Sequence, residues 1–443
     1  MNRRILPLLS ALSVLAGCAP EPGGDPTGEL EQAIGEPKSG FPSPEERLGI
    51  MAINRARSDP ATVRGPQSQM YPARPPVMWS YDFSRSSRFH AINLAMTRVS
   101  LMHDSPCPLN PNVAVANCDG NPQCACASPV GAKCANCANV APVNNGCGTP
   151  TFTRIGYFAQ NASGEVAAAG TQSTMETVDL WMDEAAGADG HRRNLLDQGT
   201  SSTVMGFGHT AVAGCFQTFD VSDSGNQAVT VPEIPTAAIS PARGPANGPF
   251  RIYATWVDPV GGVPANLWAV VDGVCRPMAR ELGDPKLNST FMVDASLGAG
   301  CHTYWILGRD AHNGRVTYPT TGALTVDAGG AACNGDFLAQ APAADCEGMQ
   351  ATPDMAKGAR GDMAVRRDMA ARSGRDLAAT GDAAAGGDDG GDGQLWQDGG
   401  GGCGCQLGAR KGRGGGALAL LLAIAIAVGE RRRRRAAIPR RRR

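Results

Sequence analysis

Two histidines and two glutamates set the chemistry that this chain could do. They are His103 in Met102-His103-Asp104-Ser105, Glu165 in Gly164-Glu165-Val166, Glu184 in Trp181-Met182-Asp183-Glu184 and His191 in Gly190-His191-Arg192-Arg193. Two imidazoles and two carboxylates supply nitrogen and oxygen ligands for zinc or a similar divalent ion, with positions left for water. Ionised carboxylates would also stabilise imidazolium, so metal affinity should fall as pH drops through the histidine range. A glutamate beside a histidine could activate water, and two carboxylates at a suitable separation could cleave glycosides. No nucleophile elbow, His-Glu-x-x-His or other catalytic signature accompanies them.

Each residue also has a plainer role to be weighed. His103 could cap a helix end, Glu165 could be a solvated loop acid, and Glu184, with Asp183 as its rival, could sit in a surface ion pair. Trp181 reads as core and His90 as a structural histidine. His209, His302 and His312 have no evident partner, whereas Arg192 could meet a carboxylate. Only the joint order of the four gives the pattern its weight.

The elements that must position them are legible in part. Ser43-Pro44-x-Glu46 is a capping box with proline at the first helical position, followed by Leu48, Met51, Ala52 and Ala56 at helical spacing and closed by Pro60. A second helix from about Asp82 carries Phe89, Ile92, Ala95, Met96 and Val99 and delivers His103 just past its end. Residues 106–150 show no periodicity and are rich in Asn, Pro, Gly and Cys, so they read as a long irregular loop held by disulfides. Ser173 to Glu176 starts a central helix with Met175, Val178, Met182 and Ala185 on its buried face, and a short loop carries His191. Residues 203–209 and 215–221 then read as two strands.

Asn54-Arg55, Trp79, His103-Asp104-Ser105, Gly164-Glu165, Trp181-x-x-Glu184, Gly190-His191-Arg192 and Met205-Gly206-Phe207-Gly208 stand in the order found in the CAP, or SCP-like, superfamily, which residues 44–222 resemble. The resemblance implies an α-β-α sandwich and a cleft lined by His103, Glu165, Glu184 and His191, which would be the metal set if zinc binds. It implies a binding or signalling protein, with sterols or other lipids among the family's ligands. The cysteine-rich insert, residues 104–150, departs from compact members of that family.

Residues 229–327 change character. Apolar and β-branched runs at 250–256, 266–271, 290–293, 302–307 and 323–326 alternate with turn residues, as in an antiparallel β-sandwich of immunoglobulin-like size. This region holds no motif that carries chemistry, so an adhesive or spacer role is its default, and Cys275 with Cys301 could staple it. The expected fold class is thus α+β, a CAP-like sandwich followed by a β-sandwich and, over residues 328–402, a disordered stalk with irregular Asp-Met-Ala repeats.

Composition and the two ends set the compartment. Arg3, Arg4 and an apolar run to Leu15 form a signal, residues 1–17. Leu15-Ala16-Gly17-Cys18 resembles a bacterial lipobox that would lipidate Cys18, and residues 18–43 form a tether. Residues 403–443 combine Gly402-Cys403, twelve apolar residues and an arginine cluster, and this order resembles a MYXO-CTERM sorting tail processed near Cys403; the alternative is a marginal membrane anchor. Fourteen further cysteines in an exported chain imply disulfides rather than zinc ligation. Between the ends lie 26 basic and 40 acidic residues, a balance that excludes nucleic acid as a partner. The expectation is a lipid-anchored protein of the outer membrane or cell surface that binds a hydrophobic or cell-envelope ligand. A metal-dependent secreted peptidase or glycosidase is the alternative.

Overall fold

The computed structural model describes residues 37, 39–63, 71–99, 101–128, 148–185, 188–197, 202–211, 218–330, 333–344, 346 and 405–406. Residues 1–17, Cys18, the repeats of residues 347–402, Cys403 and the tail from residue 407 lie outside them. The chain is a mixed α+β protein with several sheets and few helices.

The first part runs α1 (Pro44–Ser58), α2 (Pro60–Val63), β1 (Met78–Trp79), α3 (Tyr81–Thr97), α4 (Pro122–Ala125), α5 (Thr151–Gly156), β2 (Ala162–Ala169), α6 (Thr174–Met182), α7 (Gly190–Leu195), β3 (Val204–Met205), β4 (Gly208–Ala211) and β5 (Thr218–Gly225). The Ser43 hydroxyl accepts from the Glu46 amide and the Glu46 carboxylate from the Ser43 amide, so α1 starts where its capping box says. Strand β5 is the spine of the sheet: β2 pairs with it along its length, and β3 and β4 share its other edge. Helix α3 covers one face of this sheet through Ala91, Leu94 and Ala95, with Val99 just past its end, against Ala167, Phe219 and Val221. Helices α1 and α6 cover the other through Ile50, Ile53, Val178 and Trp181 against Val166 and Ala168. Gly206 and Gly208 are required by α3: a Cβ on Gly206 would lie 2.1 Å from the Phe83 carbonyl carbon, and one on Gly208 would lie 2.2 Å from the Arg88 nitrogen.

Two features differ from expectation here. His191 lies on a short helix, α7, because Glu184 supplies acceptors for that helix's first amides. The insert is tied by Cys107–Cys126 and Cys118–Cys124 and carries α4 between those bonds.

The second part contains β6 (Ala237–Ser240), β7 (Arg243–Gly244), β8 (Pro249–Trp256), β9 (Asn266–Val271), β10 (Val274–Pro277), β11 (Ala279–Asp284), β12 (Asn288–Ser296), β13 (Gly300–Arg309), β14 (Arg315–Tyr318), β15 (Ala323–Ala328) and β16 (Phe337–Leu338). One sheet has the order β11-β12-β8-β6; the other has β10-β9-β13-β15-β16, with β14 also on β13 and β7 on β15. Folded chain continues past residue 327 to Cys346, since β16 pairs with β15 and Cys346 bonds Cys275. The staple between Cys275 and Cys301 does not form; Cys301 instead pairs with Cys333.

The β region is no independent spacer. Helix α1 packs against α6 on one side and against β6, β8 and β12 on another, and a single apolar core runs from Ile53 and Trp181 to Ile252, Trp256 and Tyr304. Polar contacts also cross this junction, although Arg47 Nε and Asn288 Oδ1 are buried without a partner among the described residues. Arg55 makes a bidentate pair with Glu281 (3.0 and 2.7 Å), Arg47 pairs with Asp336 (3.0 Å), and the Asn288 amide donates to the Asn54 and Arg74 carbonyls. A continuous core predicts shared unfolding, so calorimetry of the full-length protein should show one transition for both regions. Two transitions separated by about ten degrees or more would show that they melt independently. Gly206→Ala should cost about 3 kcal/mol in urea unfolding, because its neighbour is backbone rather than a mobile side chain.

Candidate functional site

The four residues of the sequence pattern meet at one edge of the first sheet as two Glu–His pairs. Helix α3 ends at Thr97, and the buried Leu101 and Met102 anchor the segment that turns back with His103. Asp104 holds that segment by accepting from the amide and hydroxyl of Thr151, both at 3.1 Å. Glu165 faces His103 from β2, where it lies opposite Asp223 of β5. The His103 Nδ1–H donates to Glu165 Oε1 at 2.7 Å.

The second pair is built around the end of α6. Asp183 is exposed at the C-cap, whereas Glu184 is buried and is therefore the acid that enters the site. Its Oε1 accepts from His191 Nδ1 at 2.5 Å, and its Oε2 accepts from the His191 and Arg192 amides at 3.0 and 3.3 Å. A carboxylate at these amides satisfies donors that the first turn of α7 leaves open. Arg192 closes the loop on itself by donating to the carbonyls of Met182 and Glu184 and to Asp189, which also accepts from the Tyr71 hydroxyl. The carboxylate partner expected for Arg192 is thus Asp189.

The two imidazoles face each other with ring centroids 6.4 Å apart and planes tilted by 39°. Trp181, fully buried, backs His191 at 6.1 Å. Each ring is held through Nδ1 by a carboxylate, which leaves Nε2 as the ring nitrogen turned away from that carboxylate; the Nε2 of His191 is buried. Helix α7 approaches β2 so closely that a Cβ on Gly164 would lie 1.8 Å from the Asn194 amide nitrogen. The glycine before Glu165 thereby gains a reason.

Arg154 and Asp223 carry no signal in the sequence pattern, and a third participant, His90, is the structural histidine expected from the sequence. Arg154 of α5 is fully buried and donates to Glu165 Oε2, to Asp223 Oδ2 (3.3 Å) and to the Ser86 hydroxyl (3.1 Å). Burial works to raise the Glu165 pKa, but the Arg154 charge outweighs it and holds the carboxyl well below the usual range. Burial pushes Asp223 up to about 7; Arg154 opposes this, and the neighbouring Glu165 charge adds to it. Buried His90 donates from Nε2 to the Met102 carbonyl at 2.9 Å, just before His103, and burial, then the Arg154 charge, lowers its pKa to about 3. It is neutral and positions backbone. For His103 burial favours the neutral ring, yet the hydrogen bond and charge of Glu165 outweigh it and raise the pKa.

The remaining histidines lie elsewhere. His209, without an evident partner in the sequence, bonds Asp220 at 2.7 Å, and the second oxygen of Asp220 accepts from the hydroxyls of Thr171 and Thr177. His302 bonds Asp272 at 2.6 Å. His312 lies exposed in the turn after β13.

Among the described residues no group of three or more His, Cys, Asp or Glu side chains is arranged to hold a metal ion. The two imidazoles alone come close. A zinc–nitrogen bond of about 2.0–2.1 Å puts an ion about 3.2 Å from a ring centroid, so one ion reaches rings 6.4 Å apart only on a nearly straight N–Zn–N line. A tetrahedral angle would need centroids about 5.2 Å apart, a closure of about 1 Å. The donor chemistry fits, with both carboxylates behind the imidazoles.

No helix among the described residues is long and apolar enough to cross a membrane. No family model matches the chain, and no similar sequence is found among curated proteins.

Removing the Arg154 charge should leave Glu165 and Asp223 buried together without compensation. Arg154→Met should therefore lower stability by about 3–5 kcal/mol in urea unfolding, and Glu165→Gln in the same chain should recover part of the loss. Equal stability of Arg154→Met and the parent would contradict this account. Glu165, with a depressed folded pKa, contributes stability that is present above its ordinary value of 4.5 and lost as pH falls below it. His103, with a raised pKa, contributes stability present below 6.5 and lost as pH rises through its folded value. Glu165→Gln should flatten the acid limb of the stability curve, and His103→Ala should remove the loss above pH 6.5.

Proposed function

We propose that this chain is a CAP-like surface lipoprotein whose His103–His191 cleft binds a hydrophobic or cell-envelope ligand, with a divalent ion such as Zn²⁺ at the two imidazoles. The observation that carries this reading is the pair of Glu–His hydrogen bonds, at 2.7 and 2.5 Å, presenting two rings across a gap. In this reading His103 and His191 are the metal ligands, and Glu165 and Glu184 orient them. A carboxylate hydrogen-bonded to Nδ1 orients each ring, an arrangement that suits a metal-ligating imidazole. The ion would supply a positive charge to which an anionic or carbonyl oxygen of the ligand could turn. Phe152, 58 % exposed on α5 beside Asp104, offers apolar surface near the His103 side.

The helices on both faces of the first sheet support the α-β-α sandwich of the CAP superfamily. The two sheets of the second part support the immunoglobulin-like reading of that region. Lipidation at Cys18, processing near Cys403 and a place at the outer membrane rest on the sequence patterns alone.

A second reading is hydrolysis. His103, partly exposed and bonded to ionised Glu165, has the geometry of a general base for a water molecule.

Full-length protein titrated with ZnCl₂ in a calorimeter should bind one ion, and the His103→Ala, His191→Ala double variant should lose binding at least tenfold. Identical isotherms would sink the metal proposal. Displacement of a fluorescent sterol or fatty acid should accompany ligand binding, and its absence would remove the lipid class. Turnover of a peptide or glycan panel that disappears in Glu165→Gln would replace the binding reading with the hydrolase. Cys18→Ser should abolish incorporation of labelled palmitate, and incorporation in that variant would refute the lipobox.

A further inference from the structure

The outer face of the larger sheet in the second part is apolar where most sheets meet water. Alternation along β9 and β13 puts Ala269, Val271, Tyr304 and Ile306 into the shared core, so Trp268, Val270, Trp305 and Leu307 face the other way. Residues 341–344 lie on this face as a strap, with Cys346 beyond them. Ala341 and Ala344 pack on the tryptophans, and Cys346 is bonded to Cys275 of β10. Beneath the strap Trp268 and Trp305 are 2 % and 4 % exposed, and neither indole N–H finds an acceptor.

Between the strap and β14 lies a groove of about 310 Å³, with Trp305 in its lining. One wall is Arg315, Thr317 and the turn at 319–322; the other is residues 341–344. The groove continues beyond Arg315 into a second hollow of about 440 Å³, which shares Arg315, Thr317 and Thr320 with the first. These volumes are in the range of small-molecule sites. Arg315 is exposed, lies 6.0 Å over the Trp305 ring and has no carboxylate partner among the described residues. Among the described residues no acid lines the first hollow, whereas Glu233 and Asp310 line the second.

The balance of polar groups is therefore one-sided. A guanidinium and threonine hydroxyls line a space walled otherwise by Trp305, Ala, Pro and Gly. A planar guanidinium stacked near an aromatic ring keeps its N–H edge for a carboxylate. Such a lining suits a ligand that is rich in acceptors, negatively charged and provided with a flat C–H face. An extended peptide suits it less: β14 has only four residues, and Pro342 on the opposite wall has no amide to offer a strand.

We propose that the groove between β14 and the 341–344 strap is a saccharide-binding site for sugars bearing a carboxylate, with Arg315 as the residue that recognises the acid. The hydroxyls of Thr317 and Thr320 serve the sugar hydroxyls, and the Trp305 edge closes the floor. The acids of the second hollow lie where the next, uncharged part of a saccharide chain would run and would accept from its hydroxyls. This site is separate from the His103–His191 cleft and does not depend on it.

The test uses the full-length, disulfide-intact protein with three probes: a galacturonic acid tetramer, the same tetramer as its methyl ester, and tetraglutamate. The acid tetramer should bind and change tryptophan fluorescence, and the ester should bind at least tenfold more weakly. Arg315→Ala should lose about tenfold for the acid tetramer, and Arg315→Lys should restore part of that loss. The His103→Ala, His191→Ala variant should bind it like the parent. Equal affinity for acid and ester, unchanged binding by Arg315→Ala, tighter binding of tetraglutamate, or no binding of the acid tetramer at millimolar concentration would each overturn the proposal. Arg315 is exposed, so its replacement leaves the fold intact and the comparison readable.

Discussion

A single buried guanidinium sets the terms for the His–Glu cluster. Arg154 lies between Glu165 and Asp223, which face each other across neighbouring strands. Two carboxylates in a dry environment cannot both ionise beside one cation without cost. The conflict resolves unequally: Glu165 keeps its charge, while the Asp223 pKa climbs to about 7. Because Glu165 stays ionised it can hold the His103 Nδ1–H, and because it does so the His103 ring is fixed toward His191. Strand register, helix α5 and imidazole tautomer are thus linked through one side chain. In the second pair Glu184 accepts from the amides that open α7.

The parts of this arrangement legible in the sequence are those set by local rules. The Ser43 capping box, the α3 period and the order of the four site residues depend on spacing along the chain, and the structure shows the helices and brings the four side chains together. Asp220 as the partner of His209, and the roles of Arg154 and Asp223, depend on strand register and on a helix of six residues, which no short pattern encodes. The helical setting of His191 was hidden for a similar reason: the acceptor that starts α7 comes from Glu184, before the helix rather than inside it. In the second part the main apolar runs at 250–256 and 266–271 are strands, but β11 and β14 lack a continuous apolar signal because one of their faces is exposed.

Helix α1 is what turns two regions into one body. A helix with one apolar stripe would serve one sheet, but α1 is buried nearly all round and has a core on either side. Two of its charged residues, Arg47 and Arg55, pair with Asp336 and Glu281 of the β region instead of meeting water. The region that seemed a spacer from its composition therefore helps to hold the helix that forms one wall of the first sheet's surroundings.

The bond between Cys275 and Cys346 closes a span of 71 residues and pins the chain just beyond the strap to β10. Seen mechanically, it decides where tension enters the fold. A pull transmitted along the chain beyond residue 346 is carried covalently into β10 and does not first reach β16, whose two paired residues would peel from β15 under little load. Force is then borne across β10 and β9, whose hydrogen bonds must shear together rather than open singly. The same covalent short cut would keep the body attached to its tail after a break in the 278–340 segment, so a protease cut there would leave a nicked but undivided molecule.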